Sequence, residues 1–387
     1  MNDIFVRIRG LDTLLFRDGR PFSNEPGAFS ARTLRTPLPG TLGGFLRTRI
    51  GNREKDWDWE KDGPSKALEV AVAGPILMLD DEPVFHAPAD ALVYEEEKVS
   101  DPQKEKKVMC LRPCADNGGT NIPDGLRPMQ VTEDVKALPG YNYWKWEEIK
   151  RWLLYSSGND FPFPTPIDGL PLEERVHVEI SDNGTSEEGK LFTAQFLAFD
   201  KHEWQDFRKT KTEEWSILAK VKTDITDLKG TGQFGGENRP AVIVTVSEGD
   251  WPPCPDNLKK ALSGATHVRM ILATPAIFKH GWKPDWLGTN LTGTPPGLTG
   301  CTLSLVAAAV KRREPVSGWD YQNKQPKAVR WMVPAGSIFF FKVLGNSGIP
   351  VEQVWLKPVS DDPQDQRDGY GLALWGIWND NIGGNKT

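Results

Sequence analysis

The sequence has 387 residues, a formal net charge of −6 and 38% hydrophobic residues, which fits a globular chain of about two domains. No apolar run reaches the roughly 18–20 residues of a membrane-spanning helix, and the charged, alternating start MNDIFVRIRGLDTLLF is unlike a signal peptide. Four cysteines in this length argue against a disulfide framework, so we expect a reducing, cytoplasmic environment without membrane contact.

The predicted elements of the first half are mostly strands. Apolar and polar residues alternate over 4–16 and predict a strand, and helical spacing over 34–51 predicts a helix with Thr41 as N-cap and Gly51 at its end. The remaining predictions are two strands over 72–88, an inserted loop over 94–127, a helix over 141–159, a hairpin over 175–199 and a strand that follows the glycine-rich stretch GTGQFGGENRPAVIVTV at 230–246.

The second half repeats this outline loosely. A short helix is predicted over 255–264, with Asp256 as N-cap and Gly264 as the C′ residue. Strands are predicted over 266–278, 300–313, 328–345 and 367–378, and the last of them again follows glycines. The pattern indicates an α+β fold with a duplicated β-α-β-β-α-β unit, divided into domains at 1–254 and 255–387.

The basic residues are concentrated in the first 53 residues. These carry nine arginines, no lysine and four acids, a local net charge of +5, which leaves −11 for the remainder. Arginine forks favour phosphate or carboxylate partners, so anion binding is predicted at Arg17, Arg20, Arg32, Arg35, Arg47 and Arg49. The alternative is a charged turn with an internal Asp18–Arg20 pair. A second basic cluster consists of Lys311, Arg312, Arg313, Lys324, Lys327 and Arg330.

The two glycine clusters do not match a nucleotide-binding fingerprint. The sequence has neither GxxxxGK[ST] nor a GxGxxG between a strand and a helix. Two interpretations stay open: sharp turns, or loops whose backbone N–H groups and absent side chains admit a polynucleotide backbone closely.

Catalytic and metal-binding signals are weak. CLRPC at 110–114 is at most half of a zinc site, because Cys254 and Cys301 stand alone. The five histidines form no HExxH motif and no recognisable triad. We therefore predict no metal, no cofactor and no catalytic residue.

Several motifs together resemble the third subunit of type III-B (Cmr) CRISPR effector complexes, a family of the repeat-associated RAMP superfamily. They are, in chain order, DTLLFRDGRPF, ARTLRTPLPGTLGGFLR, EEGKLFTAQFL, FGGENRPA, LATPAIFKHGWKP, SGWDYQNKQPKAVRWMVPAGSIFFF and GYGLALWGIW, and they run from about residue 10 to 378. The resemblance implies two ferredoxin-like, RRM-related domains with inserted loops, and a non-catalytic subunit of an antiviral ribonucleoprotein. It implies three partners: the 5′ tag of CRISPR RNA, the large polymerase/cyclase-like subunit and a backbone RAMP subunit.

The resemblance also implies where RNA would lie. In the first half the glycine-rich loop before the last strand would pack against RNA backbone through Gly232, Gly235, Gly236 and Arg239, and in the second half through Gly369 and Gly371. Residues 317–331 would form a projecting hairpin near the tag, with Trp319, Lys327 and Arg330, and the KHGW motif adds His280 and Trp282.

Two other functions remain open from the residues alone. One is a RAMP endoribonuclease that processes CRISPR RNA, although residues 1–53 contain no histidine that could act as an acid or base beside the first helix. The other is a protein-only scaffold whose arginine-rich face binds an acidic partner.

Overall fold

A computed structural model describes residues 1–18, 30–98, 101–114, 119–131, 133–155, 161–205, 208–320, 323–345 and 348–380. The fold is mixed α/β, with many strands and few helices. Among these residues no helix is long and apolar enough to cross a bilayer. The helices are α1 (Pro39–Gly51), α2 (Gly63–Glu69), α3 (Trp146–Leu154), α4 (Asp256–Ser263) and α5 (Pro363–Asp368).

The strands of the described residues follow in chain order. They are β1 (Asn2–Gly10), β2 (Ser30–Ala31), β3 (Val72–Leu79), β4 (Glu82–His86), β5 (Ala91–Lys98), β6 (Asp101–Cys110), β7 (Arg112–Pro113), β8 (Met129–Gln130), β9 (Tyr143–Lys145), β10 (Leu172–Ile180), β11 (Ser186–Leu197), β12 (Asp200–Gln205), β13 (Arg208–Thr223), β14 (Gly230–Gln233), β15 (Pro240–Val246), β16 (His267–Leu272), β17 (Thr292–Gly293), β18 (Thr302–Ala309), β19 (Glu314–Val316), β20 (Trp319–Asp320), β21 (Gln325–Pro326), β22 (Arg330–Met332), β23 (Ile338–Leu344) and β24 (Ala373–Ile377).

The chain divides into two compact units. Unit 1 comprises Met1–Glu82, Gly169–Trp251 and Pro315–Val329, and unit 2 comprises Pro83–Asp168, Pro252–Glu314 and Arg330–Thr387. The division at Trp251 lies close to the predicted boundary at 254. The predicted domains nevertheless differ from these units, because 83–168 packs with the C-terminal half and 315–329 packs with the N-terminal half.

The main sheet of unit 1 has the strand order β14-β15-β1-β13-β3, and β12 pairs with the far end of β13. The pairs of β1 with β13 and β15, and of β13 with β3, are antiparallel. In β1 the buried side chains of Val6 and Ile8 alternate with Arg7 and Arg9, as its sequence predicts. The four principal strands, first to fourth along the chain, are β1, β3, β13 and β15. Across the sheet they lie in the order β3-β13-β1-β15, which is second, third, first, fourth.

Helix α1 covers this sheet by packing on β3. Leu42, Leu46 and Ile50 form its buried face. The predicted N-cap at Thr41 is wrong, because the helix begins at Pro39 with Leu38 as N-cap; proline suits the first position, where its missing N–H is not needed. Gly51 is the last helical residue rather than a left-handed stop, and a Cβ there would collide with the rings of Trp57 and Trp59.

The sheet of unit 2 has the order β17-β18-β23-β16-β24. Its principal strands, β16, β18, β23 and β24, are antiparallel and lie in the same second, third, first, fourth order. Its core includes Phe339, Phe341 and Trp375. Helices α3 and α4 pack on β24.

Each unit departs from the predicted β-α-β-β-α-β pattern in one connection. Residues 224–239 of unit 1, all described, contain strand β14 and no helix. Residues 273–301 of unit 2, all described, likewise contain no helix. The two sheets share one order of their principal strands, but neither unit has a helix in both connections of the predicted pattern.

A buried ion pair ties distant segments of unit 2 together. The Arg269 Nη1 donates to Asp90 Oδ2 at 2.6 Å, and the Trp152 indole Nε1 donates to Asp90 Oδ1 at 2.8 Å. Both charged side chains are almost fully buried. Burial raises the pKa of the Asp90 carboxyl, and the Arg269 charge opposes that shift. This pairing and the packing of α3 on β24 both connect residues 83–168 to the C-terminal half.

The predicted loop over 94–127 is wrong for most of its described part. Strands β5 and β6 pair antiparallel from Ala91↔Cys110 to Lys98↔Asp101. Val93, Val108 and Met109 are buried. These few inward residues anchor the hairpin although its remaining residues are strongly charged, which is why composition alone suggested a loop.

Candidate nucleic-acid interface

Two arginine-bearing segments of unit 1 lie side by side. The Leu34 N–H donates to the Phe16 carbonyl at 2.7 Å, and the Asp18 N–H donates to the Arg32 carbonyl at 3.3 Å. The backbones of Arg17 and Thr33 form an isolated antiparallel bridge. Arg17 and Arg32 are both exposed. The structure thus brings two of the predicted anion-binding arginines onto adjacent stretches of backbone.

Other predicted arginines have different positions. Arg35 is exposed, and its Nη1 donates to the Leu170 carbonyl at 3.4 Å. Arg47 is 5% exposed and donates through Nε and Nη2 to the Val70 carbonyl at 3.0 and 2.8 Å. Arg47 is buried on the inner face of α1, whereas phosphate binding needs a position at the surface. The predicted anion binding at Arg47 is therefore corrected. Arg20 lies outside the described residues.

The glycine-rich loop of unit 1 joins β14 to β15. The two strands pair from Gly230↔Ile243 to Gln233↔Pro240. Phe234 holds the loop down: it is buried, stacks on Phe45 with a centroid distance of 4.5 Å and meets Phe16 edge-on at 4.9 Å. The loop is therefore anchored to both α1 and the arginine-bearing segment that includes Arg17.

The glycines of this loop have three different environments. A Cβ on Gly232 would lie 3.0 Å from the Phe45 ring. Gly235 has φ +84°, and a Cβ there would collide with the Leu15 carbonyl oxygen. Gly236 does not have a positive φ, and its Cβ would make only ordinary contacts with Leu15, at 3.6 Å or more. The chain's own backbone thus explains Gly235 but not Gly236.

Arg49 of α1 and Arg53, just after this helix, bind strand β14 and the residues immediately before it. The Arg49 guanidinium donates to the carbonyls of Leu228 and Thr231, both at 2.7 Å, and also to Lys229. Arg53 donates to Lys229 at 2.6 Å. Burial, followed by the nearby Arg53 charge, lowers the pKa of Arg49. Its predicted role in anion binding is corrected, because its donors face backbone carbonyls.

Arg239 lies at the far side of the loop in a small charged cluster. Its Nη1 donates to Asp12 Oδ2 at 2.7 Å, and its guanidinium lies 4.4 Å from the Phe196 ring centre. Arg175, which sequence reasoning missed, donates to the other Asp12 oxygen at 3.2 Å. The Thr13 N–H, and then the Arg175 hydrogen bond, lower the pKa of Asp12. Arg175 Nε also donates to Glu173 Oε1 at 2.6 Å, so the two arginines are balanced by two carboxylates and the cluster has no net charge.

The predicted hairpin in 317–331 is present in part. Trp319 pairs with Pro326 across β20 and β21, and the Lys327 N–H donates to the Gly318 carbonyl at 2.8 Å. Trp319 is 57% exposed, and Lys327 is exposed as well. Both side chains are accessible on unit 1.

The predicted site residues of unit 2 are more engaged with their own chain. Arg330 makes two hydrogen bonds of 2.7 Å to the carboxylate of Asp365, which chiefly raise its pKa. His280 is exposed and lies 3.0 Å from Asp285 through Nε2, and Trp282 is half-buried.

The glycines before the last strand of unit 2 are buried. Gly369 ends α5 with φ +92°. Gly371 has φ +83°, and a Cβ there would lie 2.7 Å from Ser360 Oγ. Their own chain fills the space next to them, so the predicted RNA contact at Gly369 and Gly371 is corrected.

The histidines of the described residues are scattered. Burial lowers the pKa of His86 to about 3 and also lowers that of His267. His280 is the histidine that lies within hydrogen-bonding distance of a carboxylate on an exposed surface. Within the described part of the chain, no three His, Cys, Asp or Glu side chains converge as metal ligands.

Comparison with known proteins identified one family. The family model described as CRISPR-associated protein (Cas_Cmr3) matches residues 6–378. A comparison with curated proteins found no match.

Three solved structures contain similar chains. A chain in the cryo-EM structure of type III-B Cmr-beta bound to cognate target RNA and AMPPnP, state 1, is 16% identical; 87% of this chain and 86% of that chain are covered, with a TM-score of 0.46. The corresponding structure bound to cognate target RNA gives 17% identity, the same coverage and a TM-score of 0.46. A chain of the Csm3–Csm4 subcomplex of the type III-A interference complex gives 10% identity, coverage of 97% and 99%, and a TM-score of 0.35.

Proposed function

The chain belongs to the Cas_Cmr3 family of CRISPR-associated proteins and is a subunit of a type III CRISPR effector complex, and from this membership we propose its specific role. It is a non-catalytic, cytoplasmic RNA-binding subunit that holds the 5′ tag of CRISPR RNA. It also contacts the large polymerase/cyclase-like subunit and a backbone RAMP subunit.

The observation that carries the RNA-binding proposal is the environment of Gly236. This glycine lies in an anchored loop, does not have a positive φ and has room for a Cβ among its own neighbours. Because glycine costs backbone entropy without serving this fold, its presence supports a requirement set by a ligand. A polynucleotide backbone is such a ligand, since it has to come close to the protein main chain.

The surrounding charges support the same ligand. Gly236 donates its N–H to the Leu15 carbonyl at 2.8 Å, so the loop lies against the segment that continues into Arg17. Arg17 and Arg32 are exposed beside it. Guanidinium groups bind phosphate through forked hydrogen bonds, and single-stranded RNA supplies one phosphate for each nucleotide. We propose that the tag runs over Arg17, Arg32 and Gly236, with Trp319 available for base stacking.

We further propose that both units derive from the ferredoxin-like fold. The order second, third, first, fourth with antiparallel neighbours in each sheet supports this assignment, because it is the strand order of a split β-α-β arrangement. Each unit retains a helix in one of its two connections, α1 in unit 1 and α5 in unit 2.

A second function is favoured by one specific observation. The His280–Asp285 pair, with Lys279 Nζ at 2.9 Å from the same carboxylate, has the composition of an acid–base group for metal-independent RNA cleavage. We propose binding rather than cleavage because residues 1–53 contain no histidine that could act as an acid or base beside the first helix. Labelled repeat RNA should therefore stay intact with the pure protein. Cleavage that disappears in His280→Ala would establish the nuclease instead.

Photocrosslinking tests the proposed RNA path. The effector complex is assembled on CRISPR RNA that carries 4-thiouridine at successive tag positions, and crosslinked peptides are identified by mass spectrometry. We expect crosslinks in 230–246 and 14–35 of this chain. Crosslinks that map to other subunits alone, from every tag position, would contradict the proposal.

A further inference from the structure

The hairpin of β10 and β11 in unit 1 carries an exposed aliphatic face. Val176, Val178 and Ile180 alternate along β10, and Leu191 lies directly opposite Val178 on β11. Their exposed fractions are 64%, 44%, 64% and 62%. Single exposed apolar residues are ordinary, but four neighbours on one face of a hairpin form a continuous patch.

The register of the hairpin is fixed by its other face. His177 stacks on Phe192 with a centroid distance of 5.2 Å, and Phe196 is buried with Leu15, Ala31 and Ala194. A slip by one residue would expose these rings and bury the aliphatic face instead. The outward position of Val176, Val178, Ile180 and Leu191 is therefore a defined feature of the fold.

The chemistry around the patch excludes RNA as its occupant. Glu174 is the charged residue of β10 on the aliphatic face, and Asp182 follows in the turn, whereas Glu173, Arg175 and Glu179 lie on the opposite face of the strand, where Glu173 pairs with Arg175. The negative charge of Glu174 and Asp182 repels a polyanion. The described residues on this face, Leu172, Glu174, Val176, Val178, Ile180, Leu191, Thr193 and Gln195, include no aromatic ring on which a base could stack.

We propose that this patch docks a protein subunit whose contact surface is apolar and bordered by lysine or arginine. Apolar centres with complementary charges at the rim are typical of protein interfaces. A second copy of this chain would meet the patch with the same negative charge, so a different protein is the fitting partner. The inference rests on the proposed function in one respect, namely that the chain works within a multisubunit complex.

Binding between purified subunits tests the inference. Each of the other proteins of the effector complex is titrated against wild-type protein and Val178→Lys, without RNA. We expect the affinity for one of them to fall at least tenfold, because lysine interrupts the apolar patch and faces basic groups. Val176→Lys should act in the same way. Binding by the wild-type protein should weaken with salt, since the rim charges are exposed.

Val244→Lys is the matched control. Val244 is also an exposed strand valine of unit 1, with an exposed fraction of 42%, but it lies on β15. We expect Val244→Lys to bind every subunit like the wild type, and thermal midpoints should agree among all three variants. Unchanged binding by both hairpin variants would overturn the inference.

Two further results would assign the patch to another occupant and also overturn it. One is a loss of tag-RNA affinity in Val178→Lys, and the other is a wild-type dimer that this variant converts to a monomer. Failure of the wild-type protein to bind tag RNA would contradict the proposed function alone, because the subunit titrations contain no RNA.

Discussion

The glycine clusters of the two units differ in one residue, Gly236, whose Cβ position has room beside its own chain. In unit 2, Gly371 and Gly376 are packed against their own chain: their Cβ positions lie 2.7 Å from Ser360 Oγ and 2.6 Å from the Leu153 carbonyl oxygen. In unit 1, a Cβ on Gly235 would collide with the Leu15 carbonyl oxygen, whereas a Cβ on its neighbour Gly236 would make only ordinary contacts. Glycines before a last strand therefore do not indicate a ligand by themselves; the space around each one decides.

The largest expected effect is the destabilisation caused by Gly371→Ala. A Cβ would strain a left-handed backbone and also collide with the buried Ser360. Left-handed strain of about 1–2 kcal/mol and overpacking of about 1–3 kcal/mol together predict a loss near 3 kcal/mol. Denaturant unfolding measures this free energy.

Gly345→Ala separates the two causes. Gly345 has φ +91° with no atom within 4 Å of its Cβ position, so strain acts there alone. Its substitution should cost about 1–2 kcal/mol. Equal losses in Gly371→Ala and Gly345→Ala would contradict the close packing that defines the unit 2 cluster.

The second effect is a loss of support for β14, the strand that leads into the unit 1 loop. Arg49→Met removes hydrogen bonds to the carbonyls of Leu228, Lys229 and Thr231, and we expect a loss of about 2 kcal/mol in unfolding free energy. Arg53→Met removes a hydrogen bond to one of these carbonyls, that of Lys229. The loss in unfolding free energy should be less than half as large. Equal effects of the two substitutions would mean that Arg49 is not the principal brace.

The third effect appears in binding rather than stability. Gly236→Ala should change the unfolding free energy by less than about 0.5 kcal/mol, because its Cβ makes only ordinary contacts. Affinity for tag RNA should fall about tenfold, which is about 1.4 kcal/mol. Isothermal titration of the assembled subunit with tag RNA measures it.

Gly264→Ala is the control for this substitution. Gly264 was predicted as the C′ residue of α4 and is instead its C-cap, at φ −118°, with no atom within 4 Å of its Cβ position. The variant should therefore resemble the wild type in both stability and RNA affinity. If Gly236→Ala also binds tag RNA with wild-type affinity, the unit 1 loop is a turn without a role in RNA binding.

The smallest effect concerns the salt dependence of RNA binding. Each of Arg17→Ala and Arg32→Ala should reduce the slope of log affinity against log salt concentration by about 0.7, provided that each arginine contacts one phosphate. Lys259→Ala, on α4 of unit 2, serves as a lysine control. If the slope is unchanged in both arginine variants, Arg17 and Arg32 are solvated surface residues that do not contact phosphates.

Local patterns predicted several principal elements of the fold but missed the central strand β13 of the unit 1 sheet. Alternation predicted β1, β10, β11 and β15, and helical spacing predicted α1, because burial of one face gives a strand or a helix its own period in the sequence. The assignment of 83–168 could not be predicted in this way. It depends on the pairing of Asp90 with Arg269, 179 positions away, and neither residue has a local signature that names its partner.

The candidate site was predicted less well for a physical reason. Nine early arginines suggested one basic face, but a guanidinium also serves as a donor to carbonyl groups and as an ion-pair partner. Arg7 pairs with Asp250, and Arg9 pairs with Asp200. Arg47 and Arg49 bind backbone carbonyls. Arg17, Arg32 and Arg35 are exposed, and spacing alone does not distinguish them from the others.

The buried Asp90–Arg269 pair has a consequence for the order in which the protein is made. Unit 2 takes residues from both sides of the long unit 1 segment Gly169–Trp251. While Arg269 is still inside the ribosome, the emerging carboxylate of Asp90 has no cation, and burying an unpaired carboxylate is unfavourable. Residues 83–168 are therefore expected to stay unpacked during synthesis until Arg269, near the start of the last third of the chain, has emerged. Unit 2 would then acquire its core late and nearly all at once, which makes nascent chains that stop before Arg269 natural substrates for chaperones.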